Sequence, residues 1–300
     1  MTEKMLEIKH LSKNFGKFKA LKDINFELHA GEVLGFIGPN GAGKSTTIRT
    51  LLGLLQATGG SATIFGLDVW HDSVKIHRRL AYVPGDVYLW PNLTGGEVID
   101  LLLKLGGQKH TTRTDELIRR FELDTSKKAR TYSKGNRQKV AIIAALSTDA
   151  DLYIFDEPTS GLDPLQEVIF QQEVLQLKEK GKSVLLSSHI LSEVEKMCDR
   201  VAIIRSGEII EEGTLDSMRQ FTRVQMSVTT KQSLTDLSEA AGVHAFELKG
   251  DNSATMQVEA DHLEHVMADL GNLGILSIQS TPPTLEDLFM HYYEESGMDL

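Results

Sequence analysis

A glycine-rich stretch near residue 40 has the residue types and the spacing of a phosphate-binding loop. It follows the apolar run Val33–Ile37 and consists of Gly38, Pro39, Asn40, Gly41, Ala42, Gly43, Lys44, Ser45 and Thr46. In the pattern G-x-x-x-x-G-K-[ST], backbone N–H groups surround phosphate oxygens, and a helix N-terminus adds partial positive charge. We expect Lys44 to reach the β- and γ-phosphates and Ser45 to bind Mg²⁺. The stretch therefore predicts a nucleoside triphosphate site.

Two acidic residues follow a second apolar run, Leu152–Phe155. Asp156 stands at the end of this strand candidate, where it is placed to hold Mg²⁺ through water. Glu157 can polarise an attacking water as a general base. A solvated loop is the usual explanation of an isolated Asp-Glu pair after a strand, and the phosphate loop is what reverses the balance in favour of the catalytic interpretation.

A histidine follows a third apolar run, Val184–Leu186. His189 stands at the end of this strand candidate, where ligands gather in parallel sheets, so it could hydrogen-bond a γ-phosphate or the attacking water. The alternative is an ordinary surface or core histidine. These strand candidates alternate with amphipathic segments, which predicts an α/β domain with a largely parallel sheet, and Val201–Ile204 with Glu208–Glu211 predicts a hairpin.

The 300 residues are enough for two domains, and 42 acidic residues against 32 Lys and Arg give a net charge of -10. This balance argues against a general nucleic-acid binder, which needs a basic face. The single cysteine, Cys198, suits a reducing cytosolic compartment. Neither a signal peptide nor an apolar run of about 18 residues is expected. Any membrane-spanning part would belong to a partner.

The chain changes character near residues 214–221, and we place a domain boundary after residue 216. The remaining segment, 217–300, predicts a βαββαβ order whose first helix covers Leu234–Ala241. A final helix is expected from Thr284, with an apolar stripe that includes Tyr292. This stripe packs on its own domain or, alternatively, forms a dimer contact.

With Ser160-Gly161-Leu162-Asp163 directly after the acids, the set resembles the ATP-binding subunit of ABC transporters over about residues 4–216. The resemblance implies that Phe15 stacks on adenine, with an ordinary core phenylalanine as the alternative. It also implies a dimer, because Asp163 would serve the nucleotide across an interface. Two copies of this chain, or this chain and a paralogue, would form two composite ATP sites.

The segment Tyr132–Asn136 stands where the family has Leu-Ser-Gly-Gly-Gln. The resemblance implies that Ser133 and Gly135 cap the γ-phosphate bound by the opposite subunit. Lys134 and Asn136 depart from the pattern, and Lys134 could add favourable charge near phosphate.

A larger departure is Gly85, which stands where the family usually has a glutamine that contacts Mg²⁺ and water. Either Asp86 takes part of that role as a metal ligand or water makes the contact. Tyr88 and Trp90 follow, in the region that faces the membrane subunit in this family. They suggest an interface anchor, although Trp90 could instead pack in the core.

The resemblance implies a P-loop ABC ATPase domain with a mostly parallel sheet, an antiparallel β subdomain and a helical subdomain, followed by a small α+β domain. It implies an ATPase that uses ATP and Mg²⁺ and powers an integral membrane permease from the cytoplasmic face of the cell membrane. The tail, 217–300, resembles that of export-type members. The alternatives are a non-transport ABC ATPase and a weakly hydrolysing regulatory subunit. A kinase or small GTPase lacks support, since no Asn-Lys-x-Asp segment is present.

Overall fold

The computed structural model describes residues 3–215, 217 and 223–281. The chain divides into two compact units, Met1–Gly213 and Thr214–Leu300. The larger sheet contains β1 (Lys4–Phe15), β2 (Phe18–His29), β3 (Val33–Ile37), β4 (Gly59–Ile64), β5 (Leu67–Asp68), β6 (Leu80–Val83), β7 (Leu152–Asp156), β8 (Ser183–Ser188), β9 (Arg200–Arg205) and β10 (Glu208–Thr214). The accompanying helices are α1 (Lys44–Leu51), α2 (Ser73–His77), α3 (Gly95–Leu105), α4 (Thr112–Arg120), α5 (Lys134–Leu146), α6 (Pro164–Glu179) and α7 (Leu191–Met197).

The middle of this sheet is parallel and buried on both faces. The strand order is β5-β4-β1-β2-β10-β9-β3-β8-β7-β6, and β3 is parallel to β8 and β9 while β7 is parallel to β6 and β8. Every residue of β3, β7 and β8 is buried, as continuous apolar strands require. Parallel strands end at the same edge, so the residues after Ile37, Phe155 and Leu186 lie close together. The predicted parallel α/β sheet is confirmed.

The other part of the sheet is antiparallel. β1 pairs with β2 and β4, and β4 pairs with β5, all in antiparallel register. Alternate side chains of β1 and β2 fill the core beneath α1, among them Leu6, Ile8, Ile24 and Phe26. The predicted hairpin is present as the neighbouring strands β9 and β10.

Helices α3, α4 and α5 form the predicted helical subdomain. Thr94 and Glu97 make a reciprocal capping box that begins α3, which satisfies N–H groups left free in the first turn. α5 is buried along most of its length. Arg113 and Arg120 of α4 both bind the carboxylate of Glu173 on α6, which is 1% exposed. These two ion pairs tie the subdomain to α6, the helix that follows β7.

The second unit is a four-stranded antiparallel sheet with one long helix among its described residues. Its elements are β11 (Val224–Thr230), β12 (Val243–Gly250), β13 (Ser253–Val258), α8 (Leu263–Asn272) and β14 (Ile275–Thr281). The strand order is β12-β13-β11-β14. Val266 and Leu270 of α8 join Met226 and Val228 of β11 in one core.

The predicted α-helix at Leu234–Ala241 is wrong. The segment forms a 3₁₀ turn over Thr235–Glu239, because local hydroxyls take backbone groups that a helix would use: the Ser238 hydroxyl donates to the Thr235 carbonyl at 2.9 Å. The predicted boundary after residue 216 falls in a stretch described only in part, and the predicted final helix lies outside the described residues. Among the described helices, none is long and apolar enough to cross a bilayer.

Candidate nucleotide-binding site

The phosphate loop joins the end of β3 to the start of α1. Gly43 has φ +119°, and a side chain on Gly38 would place its Cβ 2.2 Å from the carbonyl oxygen of Ile204. Both positions therefore need glycine. Ala42 donates from its N–H to the Pro39 carbonyl at 3.2 Å, while Asn40 and Gly41 lie exposed at the tip and Thr46 is half-buried on α1.

The Lys44 side chain is 5% exposed and lies within this loop. Its ammonium donates to the carbonyl oxygens of Gly38 at 2.5 Å and Pro39 at 3.2 Å. The same nitrogen lies 3.5 Å from Oε1 of Glu157. A cation is thus held between the loop and the acidic strand end, where a phosphate would meet it.

Asp156 ends β7 and is 5% exposed. Burial raises the pKa of this carboxyl, while hydrogen bonds from Ser187 and Ser45 lower it in part. The Ser187 hydroxyl donates to Oδ1 at 2.9 Å. A buried carboxylate is costly without a positive partner, so Asp156 and Ser45 together form an oxygen-lined place for a small cation.

Glu157 lies between Lys44 of the phosphate loop and His189. Its backbone has φ 50°, and its N–H donates to the Ser187 carbonyl at 2.9 Å. One carboxylate oxygen faces Lys44, and the other lies 3.5 Å from Nδ1 of His189. The structure thus brings together five predicted residues, here called the catalytic cluster: Lys44, Ser45, Asp156, Glu157 and His189.

A second group of predicted residues lies where α5 and α6 begin. Ser133 accepts a hydrogen bond from the N–H of Asn136 at 3.2 Å and begins α5. Asp163 does the same for α6, accepting from the N–H of Gln166 at 3.1 Å. We call this group the signature cluster; it contains Ser133, Lys134, Gly135, Ser160, Gly161 and Asp163.

The signature cluster is closed by two contacts. The Lys134 ammonium donates to Oγ of Ser160 at 2.7 Å. A Cβ on Gly135 would lie 2.2 Å from the carbonyl oxygen of Gly161, so the two backbones touch. Among the described residues, no hydrogen bond of Ser133 or Asp163 reaches the catalytic cluster, whereas the N–H of Ser160 donates to the carbonyl of Glu157 at 3.2 Å.

The remaining predicted residues are more exposed. Phe15 is 46% exposed at the end of β1, with the Lys13 ammonium 5.1 Å from its ring centroid. Asp86 is exposed, and its role as a metal ligand stays a prediction. Tyr88 is 90% and Trp90 48% exposed, so Trp90 does not pack in the core in this structure.

Two residues that contact the site were not singled out from the sequence. One is Ser187, although a hydroxyl at the end of a strand beside β7 was a usable signal. Gln138 on α5 reaches the carbonyl of Pro84, next to Gly85, and no sequence pattern marks that contact. Groups of three or more His, Cys, Asp or Glu able to hold a metal are absent from the described residues.

Comparisons of sequence agree with this geometry. A family model described as ABC transporter matches residues 21–160. The linearmycin resistance ATP-binding protein LnrL of Bacillus subtilis (strain 168) is 34% identical over 310 aligned positions, which cover 96% of this chain and 97% of that protein. The ABC transporter ATP-binding protein NatA of the same organism is 38% identical over 211 positions, covering 68% of this chain and 86% of NatA.

Solved structures give the same result. An ATP-binding subunit of an ABC transporter is 36% identical and matches with a TM-score of 0.68, over 72% of this chain and 92% of that one. The dimeric ATP-binding cassette MJ0796, in a post-hydrolysis state with ADP and phosphate bound, is 27% identical with a TM-score of 0.64, over 70% of this chain and 99% of that one.

The phosphate loop, the two acids and the histidine at one edge of a parallel sheet define a P-loop ATPase. The relatives identify the family within that class. The chain belongs to the ABC transporter family, and it is an ATP-binding subunit with ATPase activity.

Proposed function

We propose that this chain hydrolyses ATP at the catalytic cluster and thereby powers export through a separate integral membrane permease. The observation that carries the proposal is the placement of Glu157. Its carboxylate lies 3.5 Å from the Lys44 ammonium on one side and 3.5 Å from His189 on the other. A base beside the phosphate-binding cation is in reach of a water attacking the γ-phosphate.

The phosphate loop binds the β- and γ-phosphates through its N–H groups and Lys44, and Phe15 stacks on the adenine. The Ser45 hydroxyl and the Asp156 carboxylate fit Mg²⁺, because both supply oxygen ligands. Asp156 is buried, and among the described residues Lys44 is the one cationic side chain that lowers its pKa. When bound there with ATP, Mg²⁺ neutralises phosphate charge.

In the hydrolysis step, Glu157 orients the water and accepts its proton as the water oxygen attacks the γ-phosphorus; the bond between the γ-phosphorus and the bridging oxygen breaks, and ADP leaves with that oxygen. His189 hydrogen-bonds the water or a γ-phosphate oxygen from the side opposite Lys44. Lys44 stabilises the negative charge that develops on the phosphates. The two hydrogen bonds to Asp156 keep that carboxylate in place while this occurs.

The signature cluster acts on a second ATP, bound by a partner ATPase subunit. Ser133 and Gly135 belong to the N-terminal turn of α5, and such a turn favours a phosphate oxygen. The partner is a second copy of this chain or a paralogue. Two observations support this arrangement: among the described residues, no hydrogen bond of Ser133 or Asp163 reaches the catalytic cluster, and MJ0796 is dimeric.

Export and membrane attachment are supported by observations outside the two clusters. LnrL is named for resistance to linearmycin, and the sequence 217–300 resembles the tail of export-type ATPases. Tyr88 and Trp90 are exposed where the permease is expected to dock. We place the chain in the cytoplasm, peripheral at the inner face of the cell membrane, with residues 217–300 as an accessory domain.

The experiment is the substitution Glu157→Gln. It preserves size and hydrogen bonding but removes the base, so steady-state ATP turnover should fall about 10²–10⁴-fold while ATP binding persists. ATP and Mg²⁺ should then trap a dimer that gel filtration detects. Residual turnover close to that of the unchanged chain would contradict the assignment of Glu157, whereas equal, very low turnover in both would favour the weakly hydrolysing alternative.

The transport assignment is tested separately by tagging the chain and solubilising membranes gently. A polypeptide with several apolar spans should co-purify in near-equal amount. Recovery of the chain with soluble partners alone, and its absence from membranes, would favour the non-transport ABC ATPase instead.

A further inference from the structure

The side chain of Gln138 is fully buried but only half satisfied. It lies on α5, is 0% exposed, and donates from Nε2 to the carbonyl oxygen of Pro84 at 3.2 Å. Its Oε1 is also buried, and among the described residues it has no hydrogen-bond partner. A buried acceptor without a partner costs free energy, whereas an apolar side chain of the same shape would not. Packing alone therefore does not explain glutamine at this position.

The segment that Gln138 binds touches both catalytic acids. A Cβ on Gly85 would lie 3.1 Å from the carbonyl oxygen of Asp156 and 3.6 Å from Cβ of Glu157. The residue before it, Pro84, has no N–H of its own and presents its carbonyl to Gln138. This single hydrogen bond thus links α5 to the backbone that packs against the general base.

The helix that carries Gln138 begins at Ser133, in the signature cluster. α5 is continuous over Lys134–Leu146 and is buried from Gln138 onward, so a displacement at its N-terminus is expected to move Gln138 with it. The contact therefore connects the end of α5 that would meet the partner's nucleotide with the chain's own base. Gly85 has no side chain to make that connection itself.

We propose that Gln138 is a positioning residue for ATP hydrolysis, which holds the Pro84–Gly85 backbone against Asp156 and Glu157 and makes the placement of Glu157 depend on α5. The inference deepens the proposed function and rests on its assignment of Glu157. The unpaired Oε1 lowers the stability of the chain, and we attribute its presence to the need for the Nε2 donor at this site.

The first test is the apolar substitution Gln138→Met in the purified full-length chain, assayed with MgATP. The melting temperature should stay equal or rise, because the unpaired buried acceptor is removed. The value of kcat should fall about tenfold, as for loss of a group that supports a metal-site residue, while KM for ATP stays the same. Unchanged kcat would overturn the proposal. A fall in kcat together with a clear fall in melting temperature would assign Gln138 a structural role and would also overturn it.

The second test, Gln138→Glu, replaces the donating amide with a carboxyl group of similar size. An ionised glutamate cannot donate to the Pro84 carbonyl, but a protonated one can. The Gln138 amide meets the Pro84 carbonyl. The next residue, Gly85, lies beside Asp156 and Glu157, and Lys44 lies beside Glu157. Burial and the neighbouring acids favour the protonated form of a glutamate at position 138, and this form becomes more populated as the pH falls. Relative to the unchanged chain, kcat of this variant should recover as pH falls. A ratio that does not vary with pH would contradict the donor role.

Gln225→Glu is the matched control, because it makes the same change on an exposed position of β11. Its kcat should follow that of the unchanged chain at every pH. Glu157→Gln in the same assay keeps the two proposals apart: if that variant still turns over, the base is wrongly assigned, and if it is inactive while Gln138→Met is fully active, only the positioning role fails.

Discussion

The catalytic cluster and the signature cluster differ in what holds their residues. The first lies at the ends of the buried strands β3, β7 and β8, and both Lys44 and Asp156 are 5% exposed. The second lies at two helix N-termini, where Ser133 and Lys134 are exposed. All five residues of the catalytic cluster match the family pattern, although Gly85, which packs beside Asp156 and Glu157, replaces the glutamine that the family usually has. The departure at Lys134 falls in the signature cluster, where the new side chain is exposed and has a hydrogen-bond partner, and the departure at Asn136 lies two residues further along α5.

The partner of Lys134 shows how the departure is accommodated. Its ammonium was considered as an extra positive charge for phosphate, yet within this chain it donates to Oγ of Ser160. Its aliphatic carbons pass 3.3–3.4 Å from where a Cβ on Gly161 would lie. The lysine therefore joins the starts of α5 and α6 into one surface. Two lysines at predicted phosphate sites thus have different surroundings, and matched substitutions can separate their roles.

The largest expected effect is that of Lys44→Met. A charge-assisted hydrogen bond contributes about 1.5–3 kcal/mol, so ATP affinity should fall roughly 10- to 150-fold, as measured by calorimetric titration with MgATP. Lys134→Met is the matched control and should leave the ATP affinity of the single chain within about twofold. Equal losses in the two variants would mean that both lysines bind the same nucleotide, which would break the distinction between the clusters.

A smaller effect is expected for Gly135→Ala. The added Cβ meets the Gly161 carbonyl at 2.2 Å, so the starts of α5 and α6 must separate, at a cost of about 1–3 kcal/mol in the free energy of unfolding. ATP turnover should fall roughly tenfold with this shift, while ATP affinity of the single chain stays unchanged. Calorimetric titration, steady-state turnover and thermal denaturation measure the three quantities.

Gly96→Ala is the control for that substitution. The added Cβ would lie 3.4 Å from Cβ of Thr125, which is an ordinary contact. Gly96, like Gly135, lies in the helical subdomain. Its turnover should match that of the unchanged chain. If Gly135→Ala lowered ATP affinity of the isolated chain as much as turnover, the signature cluster would be serving its own chain's nucleotide.

The same contrast explains what the sequence could predict. The catalytic cluster depends on local patterns: an apolar run, then glycines and a lysine, or an apolar run, then acids. Parallel strands bring such strand ends together without further information. The parallel sheet and the grouping of Lys44 with Asp156 and Glu157 followed from those patterns, whereas the helical subdomain was implied by the family resemblance.

Contacts between distant segments were not predictable in this way. The hydrogen bond from Gln138 to Pro84 joins residues 54 positions apart, and the approach of Gly85 to Asp156 depends on how β6 packs beside β7. The 3₁₀ turn at Thr235–Glu239 was missed for a different reason, because side-chain hydrogen bonds to nearby backbone outweighed helical spacing.

The smallest expected effect concerns the pair Lys134 and Ser160. Both side chains reach the surface, so removing their hydrogen bond by Lys134→Met or Ser160→Ala should lower turnover only about threefold. If the two residues act through one contact, the double variant should be no slower than either single variant, and Lys134→Arg should restore part of the rate by donating to the same hydroxyl. A lysine that instead reached the partner's phosphate would give a different pattern: Ser160→Ala would be silent, Lys134→Met would weaken the ATP-dependent dimer, and the two effects would add.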